Sequence, residues 1–141
     1  MEHTLEPDIR VVGVAVSTHA SNAPTDIGGL WQRAGAGGHL AMDGSPNYSV
    51  YFDYESDYTG GYRVLVGRQS DAPLKDGEEE IVIPSGTYLR LQDEGPVPDT
   101  TVKLWTQVYE TLEEKRGYGI DFERYVGSPT ESKVELFLSR K

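Results

Sequence analysis

No cysteine occurs in the 141-residue chain, which excludes disulfides and thiolate metal sites and is compatible with a reducing compartment. Histidine is nearly as scarce. His3, His19 and His39 lie far apart, with neither HExxH nor HxH spacing, so no metal centre is expected. There is no GxSxG elbow and no Walker loop, and the GAGGH stretch at 35–39 does not match GxGxxG, so no cofactor is expected. Long hydrophobic runs are missing too: no segment reaches the ~20 apolar residues of a membrane helix. The opening MEHTLEPDIR is acidic and lacks the apolar run of a signal peptide. These absences lead us to expect a cytoplasmic chain with no membrane segment. Positive charge is also short, since 13 Lys and Arg against 23 Asp and Glu leave a formal charge of −10. Such a surface repels phosphate backbones, so nucleic acid is not expected as a direct ligand.

The length suits one domain spanning 1–141. Residues 9–16 form a β-rich run. A helical pattern follows over 25–34, with Ile27, Leu30, Trp31 and Ala34 on one face. Gly28 and Gly29 weaken that helix, so either a neighbour packs closely there or the helix is short and frayed. Strands are expected over 48–55 and 62–68, and the acidic stretch 76–80 (DGEEE) is expected to be a solvated loop. The cycle then restarts with a strand over 85–94. A helix capped by Asp99 or Thr100 follows, with Val102, Trp105, Val108, Tyr109 and Leu112 on one face. Gly117 is a plausible stop. Strands over 118–125 and 133–138 complete the chain.

The order strand, helix, strand, strand thus occurs twice, over about 9–68 and 84–139. The halves also match by residue: Leu30-Trp31 parallels Leu104-Trp105, and Tyr48, Phe52 and Val64 precede Tyr118, Phe122 and Val134 by a constant spacing. We expect an α+β fold of duplicated βαββ units related by a pseudo-two-fold axis. Its antiparallel sheet carries helices that flank a central ligand cleft, where side chains of both repeats converge.

Residues 118–127 (YGIDFERYVG) pose a problem, because acids alternate with aromatics where a core should form. On a strand, Ile120, Phe122 and Arg124 share one face and Asp121, Glu123 and Tyr125 the other. Matching Phe52 to Phe122 places Asp53 as the counterpart of Glu123. The aromatics available around these carboxylates are Tyr48, Tyr51, Tyr54, Tyr88, Trp105, Tyr109, Tyr118 and Tyr125. A sheltered carboxylate among rings would favour a lipophilic, flat cation through charge and cation–π terms. The alternative is a Glu123 that faces solvent or pairs with Arg124 or Lys133. Trp31 and Trp105 read first as core residues, Trp105 also as a possible pocket wall.

The pieces IRVVGV, VYFDYE, IPSGTYLRLQDEGP, LWTQVYETL, YGIDFERY and VELFL, in this order, resemble the GyrI-like small-molecule-binding domains. These domains also serve as effector-binding domains of AraC- and MerR-type transcription regulators. The resemblance covers about residues 9–138. It implies a buried acid that engages hydrophobic cations, matched here by Glu123 with Tyr125 completing the FE-x-Y motif. There is no room for a helix-turn-helix, so the chain is similar to the stand-alone members. Three functions follow. The first is a multidrug or effector binder for cationic or aromatic small molecules, using Glu123, Tyr125, Trp105, Tyr109, Tyr88, Tyr51, Asp53 and Tyr48. The second is a hydrolase of reactive toxins with Glu123 as general base. The third is a gyrase-inhibitor-like role that requires a separate protein partner.

Overall fold

The computed structural model describes residues 2–141, which build one antiparallel sheet and two helices. In chain order the elements are β1 (Glu2–Leu5), β2 (Ile9–His19), α1 (Ala23–Ala36), β3 (Asn47–Phe52), β4 (Gly61–Gln69), β5 (Glu79–Ile83), β6 (Gly86–Gly95), α2 (Asp99–Thr111), β7 (Asp121–Ser128) and β8 (Glu131–Leu138), with a 3-10 turn at Glu113–Lys115. The strands lie in the order β1-β6-β8-β7-β3-β4-β2-β5. Read outward from the central β7–β3 pair, each half repeats the same sequence of neighbours. The expected α+β duplication is therefore present, and its halves join through β3 and β7. Among the described residues, no helix is long and apolar enough to cross a membrane.

Strand alternation divides the core between the two faces of the sheet. One face carries Tyr48, Val50 and Phe52 of β3 with Phe122, Phe137 and Tyr88, and the Phe122 and Phe137 rings stack at 4.5 Å. Leu5 from one edge strand and Ile83 from the other join this same cluster, because the sheet curls into a half-barrel around it. The opposite face carries the helices. Leu30 and Ala34 of α1 pack on Val14, Tyr51, Val64 and Val66, and Leu104 and Val108 of α2, with Leu112 just past its end, pack on Leu89, Val134, Leu136 and Leu138. Trp105 touches both helix-side clusters and links the halves.

Several elements differ from the sequence expectations. The acidic stretch is only partly a loop, since Glu79 and Glu80 begin β5 on the open edge of β2. Glu78 is buried and takes hydrogen bonds from Arg68 (2.7 Å) and the Lys75 N–H (2.8 Å), with His39 Nδ1 at 2.7 Å. Burial opposes ionisation of Glu78, but Arg68, the Lys75 amide and His39 outweigh it and hold the carboxyl at about 2. Strand β1 was not expected, and it pairs with β6 of the far half. Helix α2 begins after Pro98 and ends at Thr111, well short of Gly117. Its buried stripe is narrower than expected: Leu104 and Val108 face the sheet, continued by Leu112 at the C-cap, while Val102 and Tyr109 are exposed. Tyr118 precedes β7, with a left-handed backbone at φ 54°.

The duplication also carries a different register from the one the side chains suggested. Val64 pairs with Tyr51, and Val134 pairs with Tyr125. If Val64 and Val134 are equivalent, Tyr51 corresponds to Tyr125 and Ser49 to Glu123. Phe52 then cannot correspond to Phe122. The hairpins differ in loop length, which a constant sequence spacing conceals.

Gly28 and Gly29 sit on the exposed side of a full 14-residue helix, and a Cβ at either would meet nothing within 4 Å. Neither close packing nor fraying explains them. Burial of Leu30 and Ala34 holds the helix despite their backbone entropy. Gly28→Ala and Gly29→Ala should each stabilise the fold by about 0.4–1 kcal/mol, read as a higher urea midpoint. A lower midpoint for either variant would show that the glycine is needed.

Candidate functional site

Strand β7 lies between β8 and β3, so both of its flanks are paired and both of its faces are covered. Phe122 turns into the half-barrel core, and Asp121 and Glu123 turn toward the helices. Glu123 is 2% exposed. Its register partner on β3 is Ser49, whose buried Oγ has no hydrogen-bond partner.

Three donors converge on the Glu123 carboxylate. Trp105 Nε1 donates to Oε2 at 2.6 Å, the Tyr51 hydroxyl to Oε2 at 2.8 Å and the Tyr125 hydroxyl to Oε1 at 2.5 Å. The rings cross between repeats. Trp105 of the second half meets Tyr51 of the first edge-on at 5.5 Å, and Trp31 of the first half meets Tyr125 of the second edge-on at 5.2 Å. The aromatic shell is therefore two-fold symmetric, while the acid is present on one side only, opposite Ser49. Outward from Trp105, Tyr109 stacks at 5.9 Å and Tyr58 lies on Tyr109 at 5.3 Å. These two rings are 50% and 43% exposed, so the aromatic chain runs from the surface to the acid.

Among the described residues, no Lys, Arg or His forms an ion pair with Glu123. Arg124 points the other way and pairs with Glu135 at 2.9 Å. Burial pushes the Glu123 carboxyl up, and the bonds from Trp105, Tyr125 and Tyr51 recover only part of the shift, leaving it above its ordinary range. The same burial, and then the neighbouring acid, hold Tyr51 and Tyr125 well above their ordinary values, so both remain proton donors.

Asp121 provides the contrast. It is fully buried on the same face, yet it takes Arg116 Nη2 at 2.9 Å, the Tyr54 hydroxyl at 2.7 Å and the Ser139 amide at 2.7 Å. One buried acid thus has a cation and the next has none. A desolvated, hydrogen-bonded carboxylate ringed by aromatic faces can stabilise a positive charge that brings no donors of its own.

Of the residues expected from sequence, Glu123, Tyr125, Trp105 and Tyr51 come together, with Tyr109 as an outer layer. Tyr48 and Tyr88 lie on the opposite face, in the core with Phe122. Asp53 lies beyond the end of β3, exposed and at φ 53°, and Ser49 takes the place opposite Glu123 that was assigned to it. Sequence reading left out Trp31, Tyr62, which packs on Tyr51 at 6.1 Å, and Thr101, whose hydroxyl lies 3.0 Å from that of Tyr125. The repeated Leu-Trp pair was the available signal for Trp31.

The raised carboxyl has a consequence for stability, with a sign opposite to that of an ordinary acidic pair. The native state holds the Glu123 proton more tightly than the unfolded chain does, so this residue's contribution falls as pH rises from the ordinary value of 4.5 through the raised native value. Glu123→Gln removes that loss. Urea unfolding at pH 5 and pH 8 should show the variant gaining on the wild type as pH rises. A gap that is constant with pH, or that moves in favour of the wild type, contradicts the raised carboxyl.

No curated protein matches the chain. An integron cassette protein from the mobile metagenome of Vibrio cholerae is 25% identical, covering 98% of this chain and 94% of that one, with a TM-score of 0.80. The structure of SAV2435 bound to tetraphenylphosphonium shares the fold at 17% identity and a TM-score of 0.81, covering 100% of this chain and 93% of the other. A putative transcription regulation protein from Staphylococcus aureus MU50 does so at 15% identity and a TM-score of 0.72, covering 99% and 97%. The family model described as Cass2, integron-associated effector binding protein, matches residues 4–139, and the chain belongs to that family.

Proposed function

We propose that this protein binds lipophilic cations of low molecular weight, with Glu123 as the counter-charge and Trp105, Tyr125, Tyr51 and Trp31 as the surrounding rings. The observation that supports this most is a carboxylate 2% exposed, held by three donors and lacking a cation. The fold neighbour solved with tetraphenylphosphonium carries a ligand of this chemistry. Such a cation offers no hydrogen-bond donors, so charge and ring faces must hold it, each cation–π contact contributing about 0.5–2 kcal/mol. Recognition by faces and one charge tolerates many shapes, which fits a multidrug or effector role.

Binding requires the rings to part. Trp31 on Tyr125 and Trp105 on Tyr51 cover the acid, so entry separates the α1 side from the α2 side. The net charge of −10 favours the approach of cations and disfavours nucleic acid.

Tryptophan fluorescence during titration with tetraphenylphosphonium tests the proposal. Glu123→Gln should weaken binding by about 30-fold or more, the effect of removing one partner of a buried charge pair. Affinity for the wild type should rise with pH through the titration of Glu123 and then level off, because the cation displaces its proton. Mass spectrometry should recover the ligand intact. Unchanged affinity in Glu123→Gln would remove Glu123 from the site, and a hydrolysed product would replace binding with catalysis.

A further inference from the structure

Arg116 is 1% exposed, and its surroundings repeat the chemistry around Glu123. Its guanidinium donates to Asp121 at 2.9 Å and to Glu113 at 2.7 Å. The carbon of that guanidinium lies 4.2 Å from the Tyr118 ring centre, 5.3 Å from that of Trp105 and 5.9 Å from that of Tyr54. Tyr54 donates to Asp121 and Tyr118 to Glu113. The result is an acidic aromatic box with a cation already inside. Arg116 Nε is buried without a partner, so packing against the rings and charge hold the group as much as directed bonds do.

The two boxes share a wall. Trp105 gives its N–H to Glu123 and presents its ring to Arg116. Alternation along β7 places Asp121 and Glu123 on one face two positions apart, about 7 Å along the strand. The Arg116 segment is pinned from outside by the Gly117 N–H to the Ser139 carbonyl at 2.9 Å and the Lys141 N–H to the Lys115 carbonyl at 3.0 Å. A Cβ at Gly117 would lie 2.7 Å from the Arg140 carbonyl oxygen, so glycine lets the two backbones approach this closely.

We infer that Arg116 is a specificity-determining residue: as an internal occupant of the second box, it restricts the Glu123 site to ligands bearing a single positive charge. This rests on the proposed role of Glu123. A second ligand charge would reach Asp121 only after displacing Arg116, and otherwise meets the repulsion of the guanidinium across Trp105.

Two probes of matched shape test it: N-methyl-4-phenylpyridinium, with one charge, and N,N′-dimethyl-4,4′-bipyridinium, with two. Wild-type protein should prefer the monocation. Arg116→Ala should shift the ratio of the two affinities toward the dication by at least tenfold, while Arg116→Lys keeps the wild-type ratio. An unchanged ratio in Arg116→Ala, or a wild type indifferent to ligand charge, overturns the inference. A separate arm follows the emptied box alone. Millimolar ethylguanidinium should raise the melting temperature of Arg116→Ala but not of the wild type, relative to sodium chloride at equal ionic strength. Failure of that rescue, including a variant that stays unfolded with ethylguanidinium, also overturns it. Should the wild type bind neither probe, the Glu123 reading fails, and the rescue still decides whether Arg116 is an exchangeable occupant.

Discussion

A carboxylate taken out of water without a counter-ion is the constraint around which this structure is organised. Burying such a charge is costly, and hydrogen bonds recover only part of the loss. The protein supplies three at Glu123 and stops there. Two residues earlier on the same strand face, it supplies Asp121 with a guanidinium as well. The chain thus has the means to neutralise a buried acid at this place and leaves one acid without a counter-ion. A residue kept at the expense of stability points to function.

The duplication explains how such a site arises. Each half contributes a strand tyrosine and a helix tryptophan, and the tryptophan of each half meets the tyrosine of the other across the β3–β7 seam. Symmetry therefore supplies two equivalent Trp–Tyr pairs beside the axis. The symmetry breaks at one pair: the register places Ser49 opposite Glu123, a small hydroxyl against an acid. A second acid there would set two buried like charges side by side, while a second serine would leave only an apolar pocket. Asymmetry at one equivalent pair gives the seam its single charge. The same aromatic chain continues through Tyr109 and Tyr58 to the surface.

Much of this was legible in the sequence. The order of elements and the repeated Leu-Trp pair showed the duplication, the alternation at residues 118–125 put Glu123 and Tyr125 on one strand face, and the resemblance to GyrI-like domains singled out Glu123. Which rings surround it could not be read from the sequence. What escaped depends on information carried by pairing rather than by composition. Asp53 was matched to Glu123 through an alignment of Phe52 with Phe122, but hairpin register decides equivalence, and it selects Ser49. Tyr48 and Tyr51 differ in strand parity, so only one could face the site, and composition does not say which face closes into the half-barrel. Edge strands β1 and β5 are short and acidic, and only the sheet edges they complete make them strands. Arg116 was invisible because its importance lies in three rings and two carboxylates brought in by tertiary packing.

Carbon-13 NMR of the Glu123 side-chain carboxyl, titrated with pH in the free protein and with tetraphenylphosphonium, examines the unmatched charge directly. The resonance of the free protein should titrate above the ordinary glutamate range and fall when the cation is added, because the ligand provides the missing positive charge. A carboxyl that titrates at the ordinary value and does not respond to the cation would mean that Glu123 is neither sheltered nor the group that recognises the ligand.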